Sequence, residues 1–389
     1  MRNWAQHNPD ILEEIARRIT LYEDFLVFGG VCNSWRSAAQ KENFRFISRQ
    51  VPYLMLPHQP TKRRGGGGGG IEDKLSELRA FFSLARYTTR YVYLPEAKGK
   101  RCLSSKGWLI TIAKDLSMTL LHPFTRLQIK LPHIKSLRNW KESAVSIMYT
   151  MFIHKCLLSS NPSLTPDYIT MIIYGGCGDI AYCRPGHEKW TTIETGGLTF
   201  FDMTYFKGTV YAIDCKGRII ACDLRGDYPI AKQVTELPQK LLKKACDYLY
   251  ILESSGELLV ISREGVSIHP ITEGSDDYTY GTYEFRVFKV DIISTMTITW
   301  MEIKDLGNRA LFLGYNSSVS IEASNFYKPN CIYFTDDCMG SYWEDEKGEE
   351  KIWEYITCMM EALPQYLLKA IHTALLIQQC GLNKVVFNF

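Results

Sequence analysis

The sequence predicts a mainly β protein. It reads as a β-propeller of about six or seven blades, preceded by a small three-helix module and followed by a C-terminal helical segment. Three observations carry this. The first part of the chain places apolar side chains at helical spacing. Short runs rich in β-branched and aromatic residues, bounded by Gly, Asp and Asn, fill most of the remainder. Within them a strand–glycine turn–strand unit recurs at a fixed interval. The boundaries fall at residues 1–50 for the helical module, 51–74 for a flexible linker, 75–345 for the propeller and 346–389 for the closing segment.

In the helical module, Asp10 is placed to cap a first helix, with Glu13 three residues on to reach back to it. Pro9 stops that helix extending backwards. Ile11, Ile15 and Ile19 recur every four residues with Leu12 beside them, which gives one apolar face. Thr20-x-x-Glu23 is a capping box for a second helix, with Phe25 and Phe28 on its inner side. Val31 or Cys32, then Trp35, then Ala38 or Ala39 continue the spacing. Three helices this short are too small to bury a core of their own, so the module calls for a partner to complete it.

Pro57, Pro60, Lys62-Arg63-Arg64 and the run Gly65 to Gly70 read as a linker. Beyond it, Trp108 to Ala113, Tyr168 to Tyr174 and Thr209 to Ile213 read as strands. Ile172-x-Tyr174 before Gly178 aligns with Tyr211-x-Ile213 before Gly217, and with Tyr250-x-Leu252 before Gly256. The glycines lie 39 residues apart at each step. A period near 40 built from hairpins is the mark of a propeller blade. Trp190-x-x-Ile193 and Trp300-x-x-Ile303 share a pattern suited to an outer blade strand. The hairpin at Leu311 to Val319 falls out of phase, which the polar insertion Glu273 to Tyr283 accounts for. Residues 351–380 read as a helix packed on the propeller, with Ile352, Ile356, Met359, Leu363, Leu367, Ile371 and Leu375 on one face and a break at Pro364.

The bulk properties narrow the function. A net charge of +3 is too mild to argue for nucleic acid. No N-terminal run reads as a secretory signal and no stretch is apolar enough to span a bilayer. The 12 cysteines are scattered without a CxxC pair, so no zinc site is expected and buried free thiols are. Cytosol or nucleus follows. Gly175-Gly176-x-Gly178 lacks the Lys-Ser/Thr and helix start of a phosphate loop. Asp336 and Asp337 are adjacent and point to opposite faces of a strand. His122, His133, His154 and His187 have no paired nucleophile at recognisable spacing. Asn316-Ser317-Ser318 reads as a hairpin turn. No catalytic constellation is found, and neither a cofactor nor a metal is expected.

The order of residues in the first module resembles the F-box, with matches at Pro9, Ile11, Ile15, Ile19, Leu21, Phe25, Val31, Cys32, Trp35 and Arg36. Val31-Cys32-x-x-Trp35-Arg36 is its most specific part. The usual Leu-Pro start is replaced by His7-Asn8-Pro9, and Gly29-Gly30 stands where helix formers are common. Residues 75–340 resemble a plant-type, kelch-like F-box-associated propeller. They carry Gly107-Trp108-Leu109, Leu120 through Leu131-Pro132, Leu311 to Gly314, and Pro329-Asn330-Cys331-Ile332-Tyr333-Phe334-Thr335-Asp336-Asp337. These resemblances imply a non-catalytic substrate-recognition subunit of a Skp–cullin–F-box ubiquitin ligase. It would dock on a Skp-type adaptor through Pro9, Ile11, Leu12, Ile15, Ile19, Leu21, Phe25, Val31, Cys32, Trp35 and Arg36. Its propeller would hold a target protein that the sequence does not name. The alternative is a ligase-independent propeller scaffold with a degenerate F-box.

Overall fold

The first helix, α1 (Pro9–Arg18), begins earlier than the Asp10 cap suggests. Asn8 is the N-cap, and its side-chain oxygen accepts the Asp10 amide at 3.0 Å. Pro9 therefore occupies the first helical turn, where its missing N–H costs nothing. Arg17 and Arg18 sit in the last turn and pair with Glu13 and Glu14, each at 2.9 Å. A short helix, α2 (Asn33–Ala38), follows. The computed structural model describes residues 8–19, 25, 28–40, 52–55, 77–84, 88–138, 140, 152–176, 178–224, 229–241, 248–264, 269–270, 278–279, 284–292, 297–323, 327–335 and 385–388. The Thr20 capping box, Leu21, the glycine run, Asp336-Asp337 and the helical pattern of residues 351–380 lie outside them.

The chain divides into two compact units at the Val51–Pro52 bond. The N-terminal unit does bury a core, contrary to expectation. Leu12, Ala16, Phe25, Phe28 and Ala38 are buried together, with Ile15, Ile19, Trp35 and Ala39 packed against them. The Phe28 and Trp35 rings lie 4.5 Å apart. Gly29 has a packing reason: a Cβ there would stand 3.0 Å from the Cβ of Ala39.

The second unit is a six-bladed propeller. Blade 1 is built from β1 (Pro52–Met55), β2 (Leu78–Ser83) and β3 (Thr88–Tyr93). Blade 2 holds β4 (Arg101–Ser105), β5 (Trp108–Ile112), β6 (Met118–Leu121) and β7 (Gln128–Lys130). Blade 3 holds β8 (Ile153–Leu158), β9 (Thr170–Tyr174), β10 (Asp179–Cys183) and β11 (Thr191–Thr192). Blade 4 holds β12 (Phe200–Phe206), β13 (Thr209–Asp214), β14 (Arg218–Asp223) and β15 (Ile230–Glu236). Blade 5 holds β16 (Tyr248–Ser254) and β17 (Glu257–Glu264), then, after a hairpin of β18 (His269–Pro270) and β19 (Tyr278–Thr279), β20 (Glu284–Ile292) and β21 (Ile298–Ile303). Blade 6 holds β22 (Arg309–Leu313), β23 (Val319–Glu322) and β24 (Cys331–Phe334), with β24 parallel to β22. The last strand, β25 (Val385–Asn388), returns to pair with β1 and completes blade 1.

Two boundaries are thereby corrected. Pro52–Met55 is a buried strand of blade 1, not linker. The Tyr-Leu-Met run has the apolar density of a strand, but the prolines and glycines beyond it dominated the composition. In the closing segment, Val385–Asn388 is a strand, as its β-branched and aromatic content allows.

The repeat also needs rephasing. Gly178 and Gly217 both turn between the second and third strands of their blades, whereas Gly256 turns between the first and second of blade 5. A hairpin of apolar strands looks the same at either position, so the second step of the 39-residue spacing, from Gly217 to Gly256, is a coincidence. The equivalents of Gly256 are Gly107 and Gly208, each preceded by a left-handed residue, Lys106, Lys207 or Ser255. Consecutive positive φ angles make the tight hairpin turn whose twist matches the strands.

The core lies in the seams between blades. Ile172 and Tyr174 of β9 turn into the seam with blade 2, while Met171 and Ile173 turn into the seam with blade 4. Both faces of such a strand are covered, which is why it reads as a continuous apolar run rather than an alternation. Tryptophans tie the seams as well as fill them. Trp190 donates to the Pro132 carbonyl at 2.8 Å, Trp108 to Asn161 at 3.0 Å, and Trp300 to Thr235 at 3.1 Å. Trp190 precedes the outer strand of blade 3 and Trp300 lies in that of blade 5, as their shared pattern predicts.

The seam between blades 5 and 6 carries a charge-linked contact. Glu257 is held at 2.9 Å by both Lys289 and Arg309. The Lys289 ammonium, and then the Arg309 guanidinium, hold its carboxyl below the ordinary value of 4.5. A depressed carboxylate adds stability that is full above the unfolded value and is lost as pH falls through the folded one. Thermal melts between pH 7 and pH 3 should therefore show Glu257→Gln losing less stability on acidification than the wild type. Parallel pH profiles would contradict this role.

Candidate functional site

Two regions could carry function: the surface of the helical module and the axis of the propeller. On the module, the predicted contact residues divide by direction. Pro9, Ile11, Val31 and Arg36 face outward, and Ile11 and Val31 are 50% and 57% exposed. Leu12 and Phe25 are 1% and 5% exposed and belong to the module's own core. Ile15, Ile19 and Trp35 are half-buried against that core, and Cys32 is half-buried where α2 begins. Leu12, Phe25 and much of Trp35 are thus corrected from candidate contact residues to supports. The one-residue offset between exposed Ile11 and buried Leu12 is invisible to periodicity, because a short helix with apolar residues on adjoining sides gives one broad stripe. Ile11 and Val31 are the large aliphatic side chains that the described part of this small module leaves in water.

At the axis, the innermost strands β4, β8, β12, β16 and β23 line up in order around the ring. Three of them carry buried charges: Arg101 of β4, Lys155 of β8 and Asp202 of β12. Lys155 of β8 and Asp202 of β12 are paired at 3.3 Å, with side chains 2% and 1% exposed. Each is the first ladder partner after a shift of register, between Ile153 and Lys155 and between Phe200 and Asp202. Such a bulge re-aims the side chain that follows it. The segment 314–318, which joins β22 to β23, supplies most of the remaining partners. Lys155 donates to the carbonyls of Gly314 at 2.5 Å and Asn316 at 3.3 Å, and lies 5.3 Å from the centre of the Tyr250 ring. Asp202 accepts the Ser318 hydroxyl at 2.7 Å, the Met203 amide at 2.9 Å and the Ile251 amide at 3.1 Å. Asn316 accepts the Ser104 amide at 2.8 Å, and the Ser317 hydroxyl donates to the Cys156 carbonyl at 2.8 Å.

This segment therefore joins blades 2, 3 and 4 to blade 6, and Asp202 carries the link on to the Ile251 amide of blade 5. Asn316-Ser317-Ser318 is not the bare hairpin turn that the sequence suggests. Gly314 is required where it stands: its φ is +145°, and a Cβ would lie 2.1 Å from Oγ1 of Thr335. Burial pushes the Asp202 carboxyl up, while Lys155 and the three donors oppose that rise. Arg101, at the start of β4, donates to the Ile153 carbonyl at 2.5 Å, and burial lowers it to about 10. Burial raises Cys102 to about 11 and Cys183 and Cys222 to about 12, so these thiols stay protonated and are poor nucleophiles. The His154 Nε2–H donates to the Gly175 carbonyl at 2.6 Å, and burial lowers its pKa. Among the described residues no group of His, Cys, Asp or Glu could hold a metal ion. The axial charges are spent on one another and on backbone, which makes the axis a fastening.

The six-bladed fold with an N-terminal helical unit defines the class, and the sequence places the chain within it. Residues 81–355 match the KIB1-4 beta-propeller, and the chain belongs to that family. Its relatives are named as F-box proteins. The putative F-box protein At5g55150 of Arabidopsis thaliana is 24% identical over 86% of this chain and 85% of its own length. F-box protein SKIP23 of the same plant is 23% identical over 84% of this chain and 81% of its own. Among solved structures, the Cps50 (Swd1) beta-propeller domain of Myceliophteria thermophila is similar with a TM-score of 0.31 and 10% identity, over 62% of this chain and 73% of that one. A likeness that loose carries no argument.

Removing one partner of a buried pair strands the other. Lys155→Met should cost about 3–5 kcal/mol, read by denaturant unfolding. Lys155→Met combined with Asp202→Leu should recover part of that loss. A single variant as stable as the wild type would show that the pair does not fasten the axis.

Proposed function

We propose that this chain is the substrate-recognition subunit of a Skp–cullin–F-box ubiquitin ligase. The N-terminal unit docks on a Skp-type adaptor and the propeller holds the target protein. The observation that carries this reading is the outward direction of Ile11 and Val31, flanked by Pro9 and Arg36, at positions that match the F-box pattern on a folded helical unit. The names of the relatives and the propeller family support it. The ligase's E1, E2 and RING partners perform the chemistry in the cytosol or nucleus. This chain contributes proximity, which raises the effective concentration of target lysines near the charged E2.

In the two departures from the F-box pattern, Asn8 and Gly29 have structural uses, while a side chain at Gly30 would meet open space. Asn8 caps α1, and Gly29 admits Ala39. They therefore weigh less for the ligase-independent scaffold. The test is binding of the purified full-length chain to a Skp-type adaptor. Ile11→Glu and Val31→Glu should each weaken it by about tenfold or more, since a buried aliphatic contact is worth ~1.5–3 kcal/mol. Unchanged melting would show the unit intact. Trp35→Ala is a poorer probe, because it also opens the core. Absence of adaptor binding by the wild type would leave the scaffold reading.

A further inference from the structure

A propeller presents the outer edge of every blade to solvent, and each edge strand is a row of main-chain donors and acceptors that another chain can pair with. Most edges here are short or guarded. β7 has three residues and β11 has two. β15 exposes Lys232 and Glu236, and β21, though six residues long with Met301 53% exposed, carries Glu302, which is paired with Arg286. All four residues of β24 are buried. The edge of blade 1 differs. β3 runs six residues in unbroken register with β2, without proline or acid, and leaves Tyr91 69% and Tyr93 48% exposed.

The direction of its amides follows from one bond. The Leu94 amide donates to the Glu77 carbonyl at 2.8 Å, toward β2. Residues alternate along an antiparallel strand, so the amides and carbonyls of Thr89, Tyr91 and Tyr93 turn to the outer side. Beside them, Arg126 lies 5.2 Å from the centre of the Tyr93 ring, and Leu127 is 55% exposed. The segments around this edge are basic. Arg90, Lys98, Lys100, Arg126 and Lys130 stand against Glu77 and Glu96, and Glu96 is already held by Arg126 at 2.5 Å.

We propose that the β3 edge is a docking site for an extended, acidic peptide segment of a partner protein, which adds to blade 1 as a further strand between Tyr91 and Leu127. Main-chain pairing supplies the fit, and the two tyrosines and the cations select apolar and acidic side chains. This rests on the reading of the propeller as the part that holds a target, and it names the form of target segment that the fold accepts.

The probe is a fluorescein-labelled Glu-Val-Glu-Val-Glu-Val-Glu peptide, titrated into the full-length chain without adaptor, so that failure here is separate from failure of the adaptor reading. The expected result is saturable binding that weakens with salt, and at least about tenfold weaker binding of the Lys-Val-Lys-Val-Lys-Val-Lys peptide. Tyr91→Pro removes an outward donor and leaves the ladder to β2, so it should lose at least about tenfold in affinity; Tyr91→Phe should retain it. Hydrogen exchange on the wild type supplies a readout that does not depend on a variant folding. The Thr89 and Tyr91 amides should gain protection when the acidic peptide saturates. Equal binding of both peptides, no saturable binding, unprotected Thr89 and Tyr91 amides, or self-association through this edge in sedimentation would each overturn the proposal.

Discussion

The propeller depends on how its axis is closed. Inner strands bring backbone and side chains close together where there is little room for water, and unpaired polar groups there are costly. The segment 314–318 resolves this by entering the ring and exchanging hydrogen bonds with several inner strands at once. The Lys155–Asp202 pair, with both side chains nearly removed from solvent, is the centre of that exchange. Its Coulomb attraction alone need not exceed the desolvation cost. The pair is secured by further partners, three backbone or side-chain donors to Asp202 and two carbonyls to Lys155. These bonds are geometric constraints as much as energies: they set how each blade meets the next.

A second closure acts along the chain. β25 pairs with β1, so the last described residues complete the first blade. Ring closure by the two ends of the propeller makes the order of blades insensitive to surface insertions. The β18–β19 hairpin is such an insertion: it separates β17 from β20 in sequence while leaving them neighbours in the sheet. The outer rim is free to vary, and the β3 edge is a rim feature. The axis is less free to vary, because Lys155, Asp202, Asn316 and Ser317 each bond a group of another blade.

Much of this was legible in the residues, and the rest was hidden for identifiable reasons. The seams follow from strands that are apolar at every position, and Trp190 and Trp300 marked outer strands correctly. Gly256 misled because a hairpin turn carries no sign of which pair of strands it joins. Lys155 and Asp202 gave no signal, since a bulge and a ring bring them together across two blades. On the helical unit, the pattern at Pro9 to Arg36 mixes two kinds of position. It did not separate Ile11 and Val31, which face water, from Leu12 and Phe25, which face the core. That distinction depends on where the neighbouring helix packs, which spacing alone does not encode.

The most direct measurement of the central claim is native-state hydrogen exchange on the full-length chain. If the axial segment fastens the blades, the amides of Ser104, Met203 and Ile251 exchange only through global unfolding, at the rate of the most protected strand amides. Exchange of these three by a faster, local opening, while the blade strands remain protected, would contradict the account.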